Sequence, residues 1–233
     1  MGYFASSATI RATGFVFLAL TAGLSVSRAS VIQSTVILPP LSGAYFLGGV
    51  CVSALGRCTQ NAVVSDFEIL SSTQQGSNQV VAVNASYSAD IFTDDGGSPG
   101  TFLGHLSLAG PAEFTYLARN PSVNPLGDFT TNLSDFDFTG TLNGNTFEVR
   151  RDPSQVSTGS TSILPFTVVP PILYKVDGSL NIFAEYSFNG APFVPAPPRT
   201  ATLGEVPEPG LSALAGCVLT GILGIASRRR RAR

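Results

Sequence analysis

The 233-residue chain has no tryptophan, one methionine, one histidine, one lysine and three cysteines, and only 12% of its residues are charged. Each scarcity excludes something. One histidine leaves a zinc site short of ligands even if two cysteines contribute. The missing tryptophan removes a side chain on which sugar-binding modules stack their ligands. A composition that is 44% hydrophobic and so weakly charged is not that of a disordered polyampholyte. Sustained 3.6-residue periodicity and fixed-period repeats are also lacking in the body, which argues against helical bundles, propellers and solenoids. What is plentiful is glycine (24) and proline (16), a load that suits many strands joined by turns.

The two ends read as targeting segments. Residues 1–29 resemble a secretory signal peptide: Arg11 near the start, an apolar stretch over 15–26, and Ser27-Arg28-Ala29 with small residues where signal peptidase cuts. At the other end, Val206-Pro207-Glu208-Pro209 precedes a 16-residue stretch without charge, 211–226, and then Arg228, Arg229, Arg230, Arg231 and Arg233. That stretch is marginal for a single transmembrane helix, which needs about 20 apolar residues. The arginines behind it read as a cytoplasmic stop that would hold the body outside. Cys217 reads as a small apolar residue of this stretch.

The order Pro207-Glu208-Pro209, apolar segment, terminal arginine cluster resembles a PEP-CTERM sorting tail. The resemblance covers residues 206–233 and leaves the fold of the body open. It implies a Gram-negative export substrate, recognised by an exosortase-type membrane transpeptidase and associated with extracellular polysaccharide and biofilm matrix. Such a protein is held in the inner membrane by its C-terminal helix before processing and then reaches the cell surface or the exterior. The chain would be the substrate rather than the enzyme.

Between the ends, residues 30–205 hold six basic and fourteen acidic groups, a formal charge of −8. That sign disfavours nucleic acid and anionic membrane as electrostatic partners. An extracellular polysaccharide partner, if anionic, would be repelled unless a divalent cation bridged the two. Hydrophobicity in the body alternates with period two. Val81, Val83, Ala85, Tyr87, Ala89 and Ile91 share one parity, as do Tyr174, Val176, Leu180, Ile182, Ala184, Tyr186 and Phe188, with Phe183 out of phase. The second run is one strand or two strands bent at Gly178. A hairpin is expected at Asn143-Gly144-Asn145, and shorter strands at 34–38, 66–71, 102–108 and 113–118. One apolar face per strand predicts an all-β fold, an antiparallel β-sandwich of jelly-roll type, with a β-barrel as the runner-up. The predicted organisation is a signal peptide (1–29), the sandwich (30–191), a proline-rich linker (192–205) and the tail (206–233).

Cys51 and Cys58 are the only cysteines of the exported body and are expected to form a disulfide. Gly96-Gly97-Ser98-Pro99-Gly100 matches a serine-hydrolase elbow in letters only. The residue after the serine must donate its N–H to the oxyanion, and Pro99 has none. His105 is expected on the outer face, with Phe102 facing inward. Asp94 and Asp95, and Asp135 with Asp137, are weak candidates for calcium, without EF-hand spacing. No catalytic set and no cofactor are expected. The favoured function is a non-enzymatic envelope or matrix protein. The alternative is a calcium-dependent carbohydrate-binding module tethered to the membrane.

Overall fold

The computed structural model describes residues 30–205. The predicted signal peptide, Pro207, Glu208 and Pro209, the apolar stretch and the arginine cluster all lie outside the described residues. Among the described residues no helix is long and apolar enough to cross a membrane.

The chain is all-β and antiparallel throughout. Three short strands come first: β1 (Val31–Gln33), β2 (Gly43–Leu47) and β3 (Val50–Val52). Four long strands follow: β4 (Arg57–Gln75), β5 (Asn78–Asp94), β6 (Pro99–Tyr116) and β7 (Gly127–Leu142). The remainder are β8 (Asn145–Arg151), β9 (Ser157–Pro165), β10 (Tyr174–Ile182), β11 (Ala184–Phe188), β12 (Val194–Pro195) and β13 (Arg199–Glu205). One 3₁₀ turn, Ser53–Leu55, ends at Gly56 in the left-handed region.

β4 to β8 form an up-and-down meander. From β7 the pairing also continues through β9, β10, β13 and β2 and returns to β4, so eight strands (β4 to β7, β9, β10, β13 and β2) make a closed circuit. β8, β11 and β12 extend a second wall from the far half of β7. Opposed walls pack face to face, as a sandwich requires, but they belong to one continuous sheet of 13 strands rather than to two sheets. The reason is strand length. At roughly 3.3 Å per residue, the 16–19-residue strands β4, β6 and β7 are long enough to bend and serve both walls. Bulges supply the bends, with register shifts along β4 and Asn61 and Asp66 at positive φ.

Several sequence expectations hold and several change. The Asn143-Gly144 hairpin forms with both residues at positive φ, joining β7 to β8. The expected strands 66–71, 102–108 and 113–118 merge into β4 and β6. Residues 34–38 form a loop, and the strand there is the preceding β1. The break in the long C-terminal run falls at Phe183, whose carbonyl accepts the Asp152 N–H, rather than at Gly178. The predicted linker 192–205 is not a linker. It contributes β12 and β13, and β13 lies between β10 and β2 with Ala201 and Leu203 buried. The folded body therefore runs to Glu205.

Inward side chains form one core, dense in aromatic rings: Tyr45, Phe67 and Phe114 meet within 6.1 Å of one another. Gly110 is needed where β6 crosses β7, because a Cβ there would lie 1.8 Å from the Asp137 carbonyl oxygen. One rim of the closed sheet carries residues 34–42, 76–77, 117–126 and 166–173, and Glu205 ends there beside Gly43. The other rim carries residues 48–56, 95–98, 143–144 and 189–193.

Candidate functional site

Three places gather polar chemistry. The first is inside the sheet, where Tyr45, Tyr87, Phe114, Phe138 and Tyr186, with Pro197 and Arg199, line a largely apolar cavity of about 40 Å³. The Tyr87 hydroxyl and Arg199 Nε are buried there without a protein hydrogen-bond partner. Burial pushes the Tyr87 hydroxyl well above its ordinary value, and neighbouring Tyr186 raises it further. Tyr186 is raised by burial too, while Tyr87 and Arg199 pull it back. Organic ligands generally need a pocket of roughly 300–1,000 Å³, so this space holds little more than a water-sized guest. It is a largely apolar interior with one guanidinium at its lining, too small to bring an acid–base pair to bear on a substrate.

The second place is on the outer wall, at the paired strands β5 and β6. Asp90 stands opposite His105, with Nδ1 of the imidazole 2.5 Å from Oδ1 of the carboxylate. The other carboxylate oxygen accepts a 2.8 Å hydrogen bond from Asn61 Nδ2. The Phe102 ring abuts His105 edge-on at 5.1 Å and Phe92 at 5.3 Å. His105 does face outward as its parity predicted, but Phe102 does not face inward: it is half exposed. A bulge explains the difference. Ile91 pairs with Gly104 and Phe92 with Phe102, so Leu103 is the extra residue and the parity flips across it. The result is an exposed ring beside a carboxylate, an imidazole and an amide. Sequence parity placed His105 outward but could not pair it with Asp90, because pairing depends on register.

An oriented histidine is one part of a hydrolytic triad. Among the described residues no hydroxyl hydrogen-bonds to this imidazole. Ser98 lies in the turn between β5 and β6, where its backbone N–H and carbonyl are bonded to Asp95. The elbow-like letters thus describe a hairpin loop.

The third place is the set of carboxylates. Asp94 Oδ1 accepts the Gly97 N–H at 2.6 Å, so this side chain closes its own turn. Asp95 closes the same loop through its backbone. Asp135 opposes Glu113 and Asp137 opposes Arg150 across the sheet, without gathering a third ligand. The one convergent group among the described residues is Cys51, Cys58 and Asp94. Its two sulfurs are already joined as the expected disulfide, which links β3 to β4 at directly opposite positions.

One functional-looking residue escaped the sequence reading. Arg119 is fully buried. It donates to Gln79 Oε1, to the Val36 carbonyl at 2.5 Å and to the Pro125 carbonyl at 3.5 Å. Its guanidinium lies between the Tyr116 and Phe129 rings, at 5.9 and 5.6 Å. Burial lowers its pKa, and Tyr116 partly offsets this. The side chain plugs the first rim and ties two loops to β5. An arginine in a turn ordinarily reads as solvated, and only its apolar neighbours in sequence hinted otherwise.

Compared with known protein families, with characterised proteins and with solved structures, the chain matches none.

Proposed function

We propose that this chain is an exported, non-enzymatic protein of the cell envelope or extracellular matrix, processed near Pro207-Glu208-Pro209 by an exosortase-type membrane transpeptidase and acting beside extracellular polysaccharide. The observation that carries the reading is how closely the motif follows the last described strand in sequence. β13 is a sheet strand up to Glu205, and the Pro-Glu-Pro motif follows two residues later in sequence, ahead of the apolar stretch and the arginines. The disulfide is in keeping with an oxidising compartment.

Peptide mass spectrometry of native protein from membrane and extracellular fractions tests this. Mature chains starting near Ser30 and ending near Pro207 support it. Peptides from Leu211 onward persisting in the membrane fraction, with no processed form outside, would replace sorting by permanent anchoring.

A second reading, carbohydrate binding, is favoured by Phe102. An exposed ring flanked by Asp90, Asn61 and His105 offers a stacking face with hydrogen-bonding groups at its edge. The Asp90 carboxylate is bonded through both oxygens, to His105 and Asn61, and calcium has no part in this reading. Retention of the wild-type chain on an exopolysaccharide column, lost in Phe102→Ala, supports it. Equal retention of both chains removes it.

A further inference from the structure

The loops of the first rim carry almost no charge. Residues 34–42, 76–77 and 166–173 hold none, residues 117–126 hold only the buried Arg119, and Glu205 supplies a carboxylate where β13 meets the rim. Its most prominent loop, between β9 and β10, is apolar: Phe166 is 58% exposed, Val169 70% and Val168 90%, with Ile172 beside them. Ile37, Leu41 and Val123 are exposed on the neighbouring loops of the same rim. The outer walls of the sheet are different, since strand positions there hold Ser, Thr, Asn, Asp and Glu.

The loop is built to keep its shape in an apolar medium. The Phe166 N–H bonds the Leu173 carbonyl at 2.7 Å. Thr167 Oγ1 donates to the Pro171 carbonyl at 2.9 Å and accepts the Leu173 N–H at 2.8 Å. Backbone groups closed internally lower the cost of leaving water. Four exposed apolar side chains on one internally bonded loop are a surface in need of a cover.

The chain itself says what covers it. Glu205, the last strand residue, lies on this rim, where its carboxylate also accepts the Ile32 N–H. Only residues 206–210 separate it from the apolar stretch 211–226. Five residues span at most about 18 Å, so once that stretch is in a bilayer the rim is held against the lipid headgroups. We propose that the 166–173 loop is a membrane-contact loop, seating Phe166, Val168 and Val169 in the headgroup–acyl boundary of the membrane that holds the tail. This rests on the reading of the tail as a membrane segment. The contact is apolar rather than electrostatic, as the body's charge of −8 requires.

The absence of tryptophan makes the test direct. Full chains carrying a sole tryptophan, Val168→Trp, Ser98→Trp on the opposite rim or Ile222→Trp in the tail, are reconstituted into phosphatidylcholine vesicles brominated on the acyl chains. The expected result is quenching of Val168→Trp about twofold or more above Ser98→Trp, with Ile222→Trp quenched as well. A second substitution, Val169→Asp, placed in the Val168→Trp chain should abolish the difference. Ile222→Trp quenched with Val168→Trp unquenched overturns the inference and leaves the anchor standing. An unquenched but blue-shifted Val168→Trp also overturns it, in favour of a second copy as the cover. Quenching at neither Val168→Trp nor Ile222→Trp defeats both readings. Quenching at Val168→Trp alone upholds the loop and removes the anchor. Equal quenching at Ser98→Trp rejects the orientation.

Discussion

The two rims of the closed sheet solve the same problem by opposite means. The rim at residues 95–98 and 143–144 is braced covalently, with the Cys51–Cys58 bond tying β3 to β4. The rim at residues 117–126 and 166–173 has almost no charge outside and keeps one cation inside, Arg119, bonded to β5 and two loops. The disulfide is local, spanning seven residues, whereas Arg119 reaches Val36 across 83. A long-range hub stabilises what a short covalent loop cannot, since the covalent link removes only the entropy of its own small ring from the unfolded chain.

The largest expected effect concerns the wall between the rims. Tyr45, Tyr87, Tyr116 and Tyr186 are all raised above 10.0, chiefly by burial. Unfolded tyrosine titrates near 10, so above that pH the unfolded state has lost protons that the folded state still holds. The stability these groups contribute is complete below pH 10 and declines as pH rises beyond it. The slope is up to about 1.4 kcal/mol per pH unit for each buried group. Absorbance at 295 nm, clean because no tryptophan is present, should show these four hydroxyls ionising only as the fold is lost. Ionisation of all four near pH 10 in a folded chain would contradict the burial.

Next comes Arg119→Ala, which removes three hydrogen bonds, leaves Gln79 Oε1 and the Val36 carbonyl unmatched and opens a hole between two rings. The expected cost is about 3–5 kcal/mol in denaturant unfolding. Arg119→Met should recover the packing part and not the rest. Third, the pair Cys51→Ser and Cys58→Ser should cost roughly 2–3 kcal/mol on the loop-entropy account. A larger loss from the cysteines than from Arg119→Ala would reverse the ranking of the two rims.

How much of this was readable beforehand depends on register. Alternation fixes which face of a strand is inward as long as the strand is regular, which is why Val81 to Ile91 on β5 and the Asn143-Gly144 turn were legible. It fails across bulges. The extra residue at Leu103 turned Phe102 outward, and that reversal created the aromatic platform beside His105. Prolines over 192–198 masked the alternation of Ala201 and Leu203 against Thr200 and Thr202, and with it the strand β13. Closure of the sheet could not be read at all, since it depends on which of thirteen strands find each other. Nor could the burial of Arg119, because single-sequence rules place an arginine in water.

The smallest expected effect bears most on function. The His105 side chain is 80% exposed where it meets Asp90. A pair so open to solvent gains little from its attraction and is screened by salt, so Asp90→Asn should cost less than about 1 kcal/mol of stability. That expectation separates two roles for the site. If the cost is small, the Asp90–His105–Asn61 arrangement is not what holds β5 to β6, and its order is left to serve a ligand seated on Phe102. Calorimetric unfolding that instead shows a loss comparable to the disulfide's would make the pair a structural clamp. The exposed ring would then be the by-product of a bulge, and the first rim, with its uncharged loops, would be the one surface of the body arranged for a partner.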